Sequence, residues 1–535
     1  MSETEVDVVV VGSGAAGLTA ALSAAVAGAR TLVVESSAEL GGTTALSGGR
    51  VWIPANGRPE NAGDSEENAN RYLDQVFDTR YTPMIRTFVH EALQMADFVE
   101  EHTPHRFVVC PNYPDYHPDL EGATLGGRCF DVAPVDVGAL VPEVKSLREP
   151  PGYTPITHAE WEQWRYPARI DHDLLAARRA AGVRTGGVGL AAALLDGVIR
   201  AGVQMRSGTT LVGVVVTDGG VTGVRLRTAD GELTVTTRSV VLACGGFDAA
   251  EDKRGQLLPP GLGVSASAPG DTGIALALAE ELGLATDNLG EGWWMPMALP
   301  EGDLVEGVPY PRGMVRERGA PRQILVDRHG RRFLDEALPY NEFGKAMHRP
   351  GHDGEPAGLG AHLVFDEGFR ARYPLPGLSA EGGLPAHIVV AGDLPGLGRQ
   401  IGVGADELVR TVDRWNASCV EGVDRDFGRG SNPYDVYYGD PDQEPNPCLG
   451  PLDRPPYYAM RVYSGVIGSK GGPVTDTAGR VLDRAGAELP GLYAAGNAAA
   501  FWTGDGYPGP GATLAVAMTF GHLAGRHAAR AGPRV

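Results

Sequence analysis

Cysteine is scarce in this sequence. Its five residues, at 110, 129, 244, 419 and 448 of 535, include no CxxC pair. So odd and scattered a set excludes a disulfide framework and offers no zinc or iron–sulfur ligand group. Positive charge is also short: 46 Lys and Arg against 67 Asp and Glu leave a net charge of −21. That balance excludes nucleic acid, or an anionic membrane, as a partner held by the overall field. Lysine supplies only four of the basic residues, a bias of genome composition rather than a functional signal. Long apolar runs are missing except for 22 uncharged residues from Val8 to Ala29. Glu3, Glu5 and Asp7 precede that run where a secretory leader would be positive, and Gly12, Gly14 and Gly17 interrupt it. No membrane-spanning segment is expected, and the chain reads as a cytoplasmic protein of a reducing compartment.

What is present suffices for a large core in two or three compact units, with 43% hydrophobic residues. Val6–Val11 is a mostly apolar run of the kind buried on both faces of a parallel sheet. Gly12-Ser13-Gly14-Ala15-Ala16-Gly17 follows, then a helical stretch predicted over Leu18–Ala27, then a short β-branched strand, Thr31–Val34, ending at Glu35. This is a complete βαβ unit. Its glycines allow the tight turn, the approach of backbone to a pyrophosphate and the packing of helix on strand. The helix N-terminus presents N–H groups to phosphate. Glu35 stands where a carboxylate accepts ribose hydroxyls, which disfavours a 2′-phosphate.

Further strands are predicted at Thr209–Val216, Gly223–Arg227 and Val240–Ala243, the last running into Cys244-Gly245-Gly246-Phe247. Leu492–Ala495 leads likewise into Gly496-Asn497. The two ends of the chain, 1–298 and 455–535, therefore read as one nucleotide domain interrupted by an insertion at 299–454. The insertion is expected to hold a hairpin of Ile324–Val326 with Arg332–Phe333 and a helix around Asp406–Trp415. The segment Val141–Arg184 carries no legible motif.

Together, Gly12–Gly17, Gly41-Gly42-Thr43-Thr44-Ala45-Leu46-Ser47-Gly48-Gly49, Ala243–Phe247 and Gly491–Asn497 resemble the FAD-dependent fumarate reductase and 3-ketosteroid dehydrogenase superfamily. They occur in that superfamily's order over nearly the whole chain. The resemblance implies an α/β fold, with a Rossmann-like FAD-binding domain of the glutathione-reductase type interrupted by an α+β catalytic domain. It implies FAD held by Gly12, Gly14, Ala15, Ala16, Gly17, Glu35, Gly42, Thr43, Thr44, Ser47, Gly48, Gly49, Gly245, Gly496, Asn497, Gly511, Ala512 and Thr513. Some relatives attach the flavin through a histidine at the position of Gly42; glycine there implies non-covalent FAD.

Three more segments are similar to the 3-ketosteroid Δ1-dehydrogenase branch: Tyr507-Pro508-Gly509-Pro510-Gly511-Ala512-Thr513, Arg332–Tyr340 and Tyr113–Pro118. The arginine-rich constellation of fumarate reductases is absent from Glu336–Tyr340. The implied reaction removes two hydrogens across the carbon–carbon bond beside a ketone. It needs a base for the α-proton, donors for the enolate oxygen and an acceptor for the β-hydride. By the resemblance Tyr340 is the base, the Tyr507 hydroxyl and the Gly511 N–H are the donors, and Tyr116 is the proton relay. Tyr113 stands close enough to exchange places with Tyr116. Tyr113, Trp293, Trp294 and Met295 are candidates for an apolar substrate slot, or for core. Ser469-Lys470-Gly471-Gly472 and Trp415-Asn416 also fit that branch, with a bare turn as the other reading of Lys470; Cys244 reads as a small buried hydrophobe. His117 has no partner at ligand spacing, so no metal is expected.

Phe501–Gly506 is bulkier and more acidic than the resemblance leads one to expect, which leaves a non-steroid cyclic ketone, or another ring position, beside the steroid reading. An enoate reductase and a flavin-binding redox carrier are the remaining alternatives. Turnover also requires an electron acceptor, for which no motif is legible.

Overall fold

A computed structural model describes residues 4–376 and 384–531. Val8–Val11 is fully buried, as a strand covered on both faces must be. It pairs in parallel with Thr31–Val34 on one side and Ser239–Leu242 on the other. Gln204–Arg206 extends the sheet beyond Thr31–Val34. Glu488–Ala494 extends it beyond Ser239–Leu242, and Arg480–Leu482 closes that edge in antiparallel fashion. The C-terminal strand therefore completes a sheet begun at the N-terminus. The first helix begins at Ala15 rather than Leu18, because the glycine turn is tight enough for the helix to start inside it. Thr210–Thr217, Gly220–Thr228 and Gly231–Thr236 form a separate antiparallel sheet, to which Thr4–Glu5 adds.

In the insertion the expected hairpin does not form. Gln323–Val326 pairs instead with His362–Asp366, which pairs with Tyr457–Arg461, and that with Ile388–Ala391. Arg332 is drawn into a buried ionic cluster with Glu336 at 2.7 Å and Asp424 at 2.9 Å, and this keeps 332–333 out of any ladder. The helix predicted at Asp406–Trp415 runs over Ala405–Glu421 and buries Leu408, Val412, Trp415 and Cys419 on one stripe. A fourth sheet joins the parts: Gly292–Ala298 pairs with Tyr463–Ser469 and with Arg312–Gly313. Among the described residues no helix is long and apolar enough to cross a membrane.

Candidate active site

A cavity of about 720 Å³ starts at the glycine turn and ends among tyrosines. At the first end Gly12 takes φ +107°, and the carbonyl of Ala243 fills the space a Cβ would need. The helix Ala15–Val26 has Gly14 as its N-cap, which lends no side chain to that end; Thr44 takes the Ala15 N–H, and the next N–H groups open on the cavity. Glu35 holds this turn: one carboxylate oxygen accepts from Ser13 N at 3.0 Å and Ser13 Oγ at 2.7 Å, the other from Ser37 N at 2.9 Å. Thr44 Oγ1 accepts from Ala15 N at 2.9 Å. Thr43 Oγ1 donates to Asp271 at 2.8 Å and accepts from Ala268 N at 2.9 Å. The side chains that face the cavity thus also tie its loops together.

Gly12, Gly14, Ala15, Ala16, Glu35, Gly42, Thr43, Thr44, Ser47, Gly48, Gly49, Gly245, Gly496, Asn497, Gly511 and Thr513 all line this one space. Gly17 and Ala512 do not. Gly17 packs directly on the carbonyl of Gly12, and Ala512 opens the helix Ala512–Arg530 with its side chain buried. A cradle of backbone amides at this helix end, with a carboxylate 23 residues beyond the first glycine, fits an adenine dinucleotide.

At the other end the Tyr340 hydroxyl donates to that of Tyr507 at 2.8 Å, and Thr513 Oγ1 donates to the same oxygen at 3.0 Å. With both lone pairs engaged, Tyr507 keeps its own proton for a third partner. Burial pushes Tyr340 well above the usual tyrosine value, and the neighbouring Tyr507 adds to this. Burial also raises Tyr507, while the bonds to Thr513 and Tyr340 act in the opposite direction. Gly511 lines the cavity at the N-terminus of its helix with φ +96°; a Cβ there would meet Arg50 C at 2.5 Å and Val51 N at 2.6 Å.

Tyr116 packs edge-on against Tyr340 and Tyr507, with ring centroids 5.3 and 5.1 Å apart. It lies behind the cavity wall, and its hydroxyl is buried without a hydrogen-bond partner. Tyr116 still sits close enough to Tyr340 to oppose the rise in its pKa, so the expected relay pair lies side by side with its geometric hydrogen bond unformed. Tyr113 lines the cavity and shares a hydrogen bond with Tyr438.

Trp294 is a correction. Alternation along Gly292–Ala298 sends Trp293, Met295 and Met297 into the core shared with the tyrosines, and Trp294 into a separate cluster with Phe247, Leu258, Leu276 and Val466. Met295 reaches the cavity. Phe501 and Trp502 are also core, packing on Trp293 and Phe77, and Asp505 turns out to pair with Lys345 at 3.0 Å.

Lys470 is more than a turn residue. Fully buried, its Nζ donates to Gly504 O at 2.7 Å and Gly506 O at 2.8 Å, and lies 3.9 Å from the Trp293 ring centroid. Other lining residues lie outside every legible motif. Arg148, His158 and Trp161 come from the illegible 141–184 segment, Arg316 from a loop, and Asp271 from Gly270-Asp271-Thr272-Gly273. A polar run this short before an apolar helix was the one available hint for Asp271. Burial, with Asp248 nearby, pushes the Asp271 carboxyl well above the usual range.

The pattern of the FAD binding domain family matches residues 7–514. The chain is 39% identical over 531 residues to the 4-oxocyclohexanecarboxylate 2-dehydrogenase of Sinomonas cyclohexanicum, covering 97% of this chain and 92% of that one. It is 38% identical to the 3-oxosteroid 1-dehydrogenase of Mycobacterium tuberculosis (strain ATCC 25618 / H37Rv) across 100% of both chains. A crystal structure of the 3-ketosteroid delta1-dehydrogenase from Sterolibacterium denitrificans in complex with 1,4-androstadiene-3,17-dione superposes with a TM-score of 0.91 at 34% identity, covering 98% of this chain and 99% of that one. The chain therefore belongs to the FAD binding domain family, within the superfamily of fumarate reductases and 3-ketosteroid dehydrogenases, and its cofactor is FAD.

Proposed function

We propose that the protein dehydrogenates a six-membered cyclic ketone across the bond beside its carbonyl. The observation that carries this reading is the meeting of Tyr340, Tyr507 and Gly511 at the end of the dinucleotide cavity. Relatives named for 3-oxosteroid and 4-oxocyclohexanecarboxylate dehydrogenation support it, and both names share a ring ketone.

Bound FAD would supply the hydride acceptor. Gly12, Gly14, Ala15 and Ala16 would hold its pyrophosphate at the helix end, Glu35 its ribose, and Gly42–Gly49 the flavin flank. The Tyr507 proton and the Gly511 N–H would hold the ketone oxygen and strengthen as it becomes an enolate. Tyr340 would take the α-proton at its phenol oxygen. Burial holds that phenol protonated at rest, so its proton must first leave; Tyr116, itself a buried protonated phenol, would relay it by passing its own hydroxyl proton on toward water as it accepts that of Tyr340. Tyr72 O–H and Tyr116 N both bond Pro508 O, which keeps the 507–511 turn aimed at the ketone.

Anaerobic mixing with a panel of cyclic ketones tests this reading: a dehydrogenase bleaches its flavin on substrate addition, and a redox carrier does not. Non-covalent FAD, a nucleotide domain of 1–298 with 455–535 around a catalytic part at 299–454, and a cytoplasmic location belong to the same proposal. Five unpaired cysteines support that location. Reoxidation falls to an electron acceptor whose docking no residue here specifies.

A further inference from the structure

Beyond the tyrosine pair the cavity wall carries Arg50 and Arg316, and a histidine whose charged form burial disfavours. Arg50, His158 and Arg316 face it beside Tyr113, Trp161 and Tyr438. Arg50 is paired, with Asp131 at 3.0 Å. His158 Nε2 shares a hydrogen bond with the Tyr437 hydroxyl at 2.9 Å and lies 3.5 Å from Glu162. Arg316 has no such partner. Its guanidinium stacks 4.6 Å from the Trp161 ring centroid, and Nη1 donates to Trp161 O at 2.7 Å. Among the described residues no carboxylate oxygen lies within the 4.0 Å of an ion pair.

The neighbouring charges are committed elsewhere. Glu162 accepts from the Tyr437 hydroxyl at 2.7 Å, Glu317 from Val315 N at 3.2 Å, and Arg165 donates to the carbonyls of Tyr437 and Gly439. Burial disfavours the charged guanidinium, with Arg165 adding repulsion while Tyr437, Tyr438 and Tyr113 oppose this shift. Arg316 is half-buried, and Glu162, which it helps to hold ionised, is not within ion-pair distance. A partly desolvated cation without a direct ion-pair partner carries a cost that stacking on tryptophan offsets only in part. The planar fork that Nε and Nη2 leave unengaged matches a carboxylate. Tyr113, Arg316, Tyr340 and Tyr507 line the same cavity, so the unpaired cation and the reacting end share one chamber.

We propose that Arg316 receives a carboxylate of the substrate, so that the ketone this cavity prefers is a cyclic keto acid. Its ring carbonyl lies at Tyr507 and Gly511, and its anion lies against Arg316 and Trp161. The assignment rests on the dehydrogenase reading and narrows it, since a neutral steroid leaves Arg316 without a partner.

The test is anaerobic flavin bleaching of the FAD-loaded enzyme by 4-oxocyclohexanecarboxylate, its methyl ester and 4-androstene-3,17-dione. The wild type should favour the acid over the ester in kcat/KM by about 10- to 100-fold, the range of a hydrogen bond to a charged group. Arg316→Gln should abolish that ratio, chiefly through KM, and Arg316→Lys should keep part of it. A wild type that bleaches with the ester or the steroid as readily as with the acid overturns the carboxylate assignment and leaves the dehydrogenase standing. A ratio unchanged in Arg316→Lys and Arg316→Gln also overturns it. Should Arg316→Gln fail to fold, the wild-type ratio and Arg316→Lys decide. Absence of bleaching by all three ketones defeats the dehydrogenase reading, and this assignment with it.

Discussion

Tyr340 and Tyr507, 167 residues apart in the chain, meet hydroxyl to hydroxyl at 2.8 Å. One stands at the start of the helix Tyr340–His348, the other just before the helix Ala512–Arg530, so two helix ends set the pair. Removing either hydroxyl should have a different consequence. Tyr340→Phe keeps the ring and its packing but deletes the proton acceptor, and flavin reduction should slow by at least about 10²–10⁴-fold with ligand binding near normal. Tyr507→Phe leaves the Gly511 N–H in place, so a loss of about 10²–10³-fold is expected, with weaker ligand binding besides. Rapid-reaction bleaching separates these outcomes from reoxidation. A Tyr340→Phe enzyme that bleaches at the wild-type rate removes the base assignment.

The pH dependence follows from the same burial. A phenol held well above its ordinary value is a minor base at neutral pH, and its base form grows tenfold for each unit of pH. The rate of flavin reduction should therefore climb through the alkaline range without a plateau near pH 7. A flat profile between pH 7 and 9 would show that another group carries the proton, or that a bound ligand lowers Tyr340 substantially.

Gly42 offers no side chain to a flavin and lines the cavity. Acid precipitation should release yellow FAD into the supernatant. Flavin retained in the pellet, or FMN in the supernatant, would contradict non-covalent FAD.

Local sequence made the first half of the site legible. The turn from Gly12 to Gly17 with Glu35 encodes its own geometry in one βαβ unit, and these residues line the cavity with the exception of Gly17, which serves packing. Tyr340, Tyr507 and Gly511 were named through resemblance, and no spacing could bring them together, because their meeting depends on sheets that cross the 299 and 454 positions. Trp294 was misplaced because adjacent aromatics on a strand face opposite ways, and nothing local says which one faces inward. Arg332 left its expected strand for Glu336 and Asp424, a tertiary ionic cluster outweighing local β pattern. Arg316, His158 and Trp161 lie in segments without motifs, so only the folded chain reveals that they share a wall.

Lys470 yields the last prediction. Its ammonium bridges Gly504 O and Gly506 O beneath Trp293, whose ring lies edge-on to Tyr507 at 4.6 Å. Burial pushes Lys470 down to about 7 from 10.5, with Glu291, Asp505 and Glu342 opposing this shift and Lys345 adding to it. Between these two values the unfolded chain binds a proton that the folded chain does not. Stability should therefore rise with pH across the window, by up to about 1.4 kcal/mol per unit from this group. Below about pH 7 both states bind the proton and the slope vanishes. Lys470→Met keeps the length and burial but strands two carbonyls, at about 1–3 kcal/mol each. Near neutral pH, relief of the buried charge offsets part of that loss; at pH 9 it does not. The stability deficit of Lys470→Met against wild type should therefore widen from pH 7 to pH 9.5 in denaturant unfolding. Flavin reduction should slow as well, because the loop before Tyr507 loses its tether. A deficit constant across that range would mean that the lysine stays charged in the folded protein, held by its carbonyls and the Trp293 face.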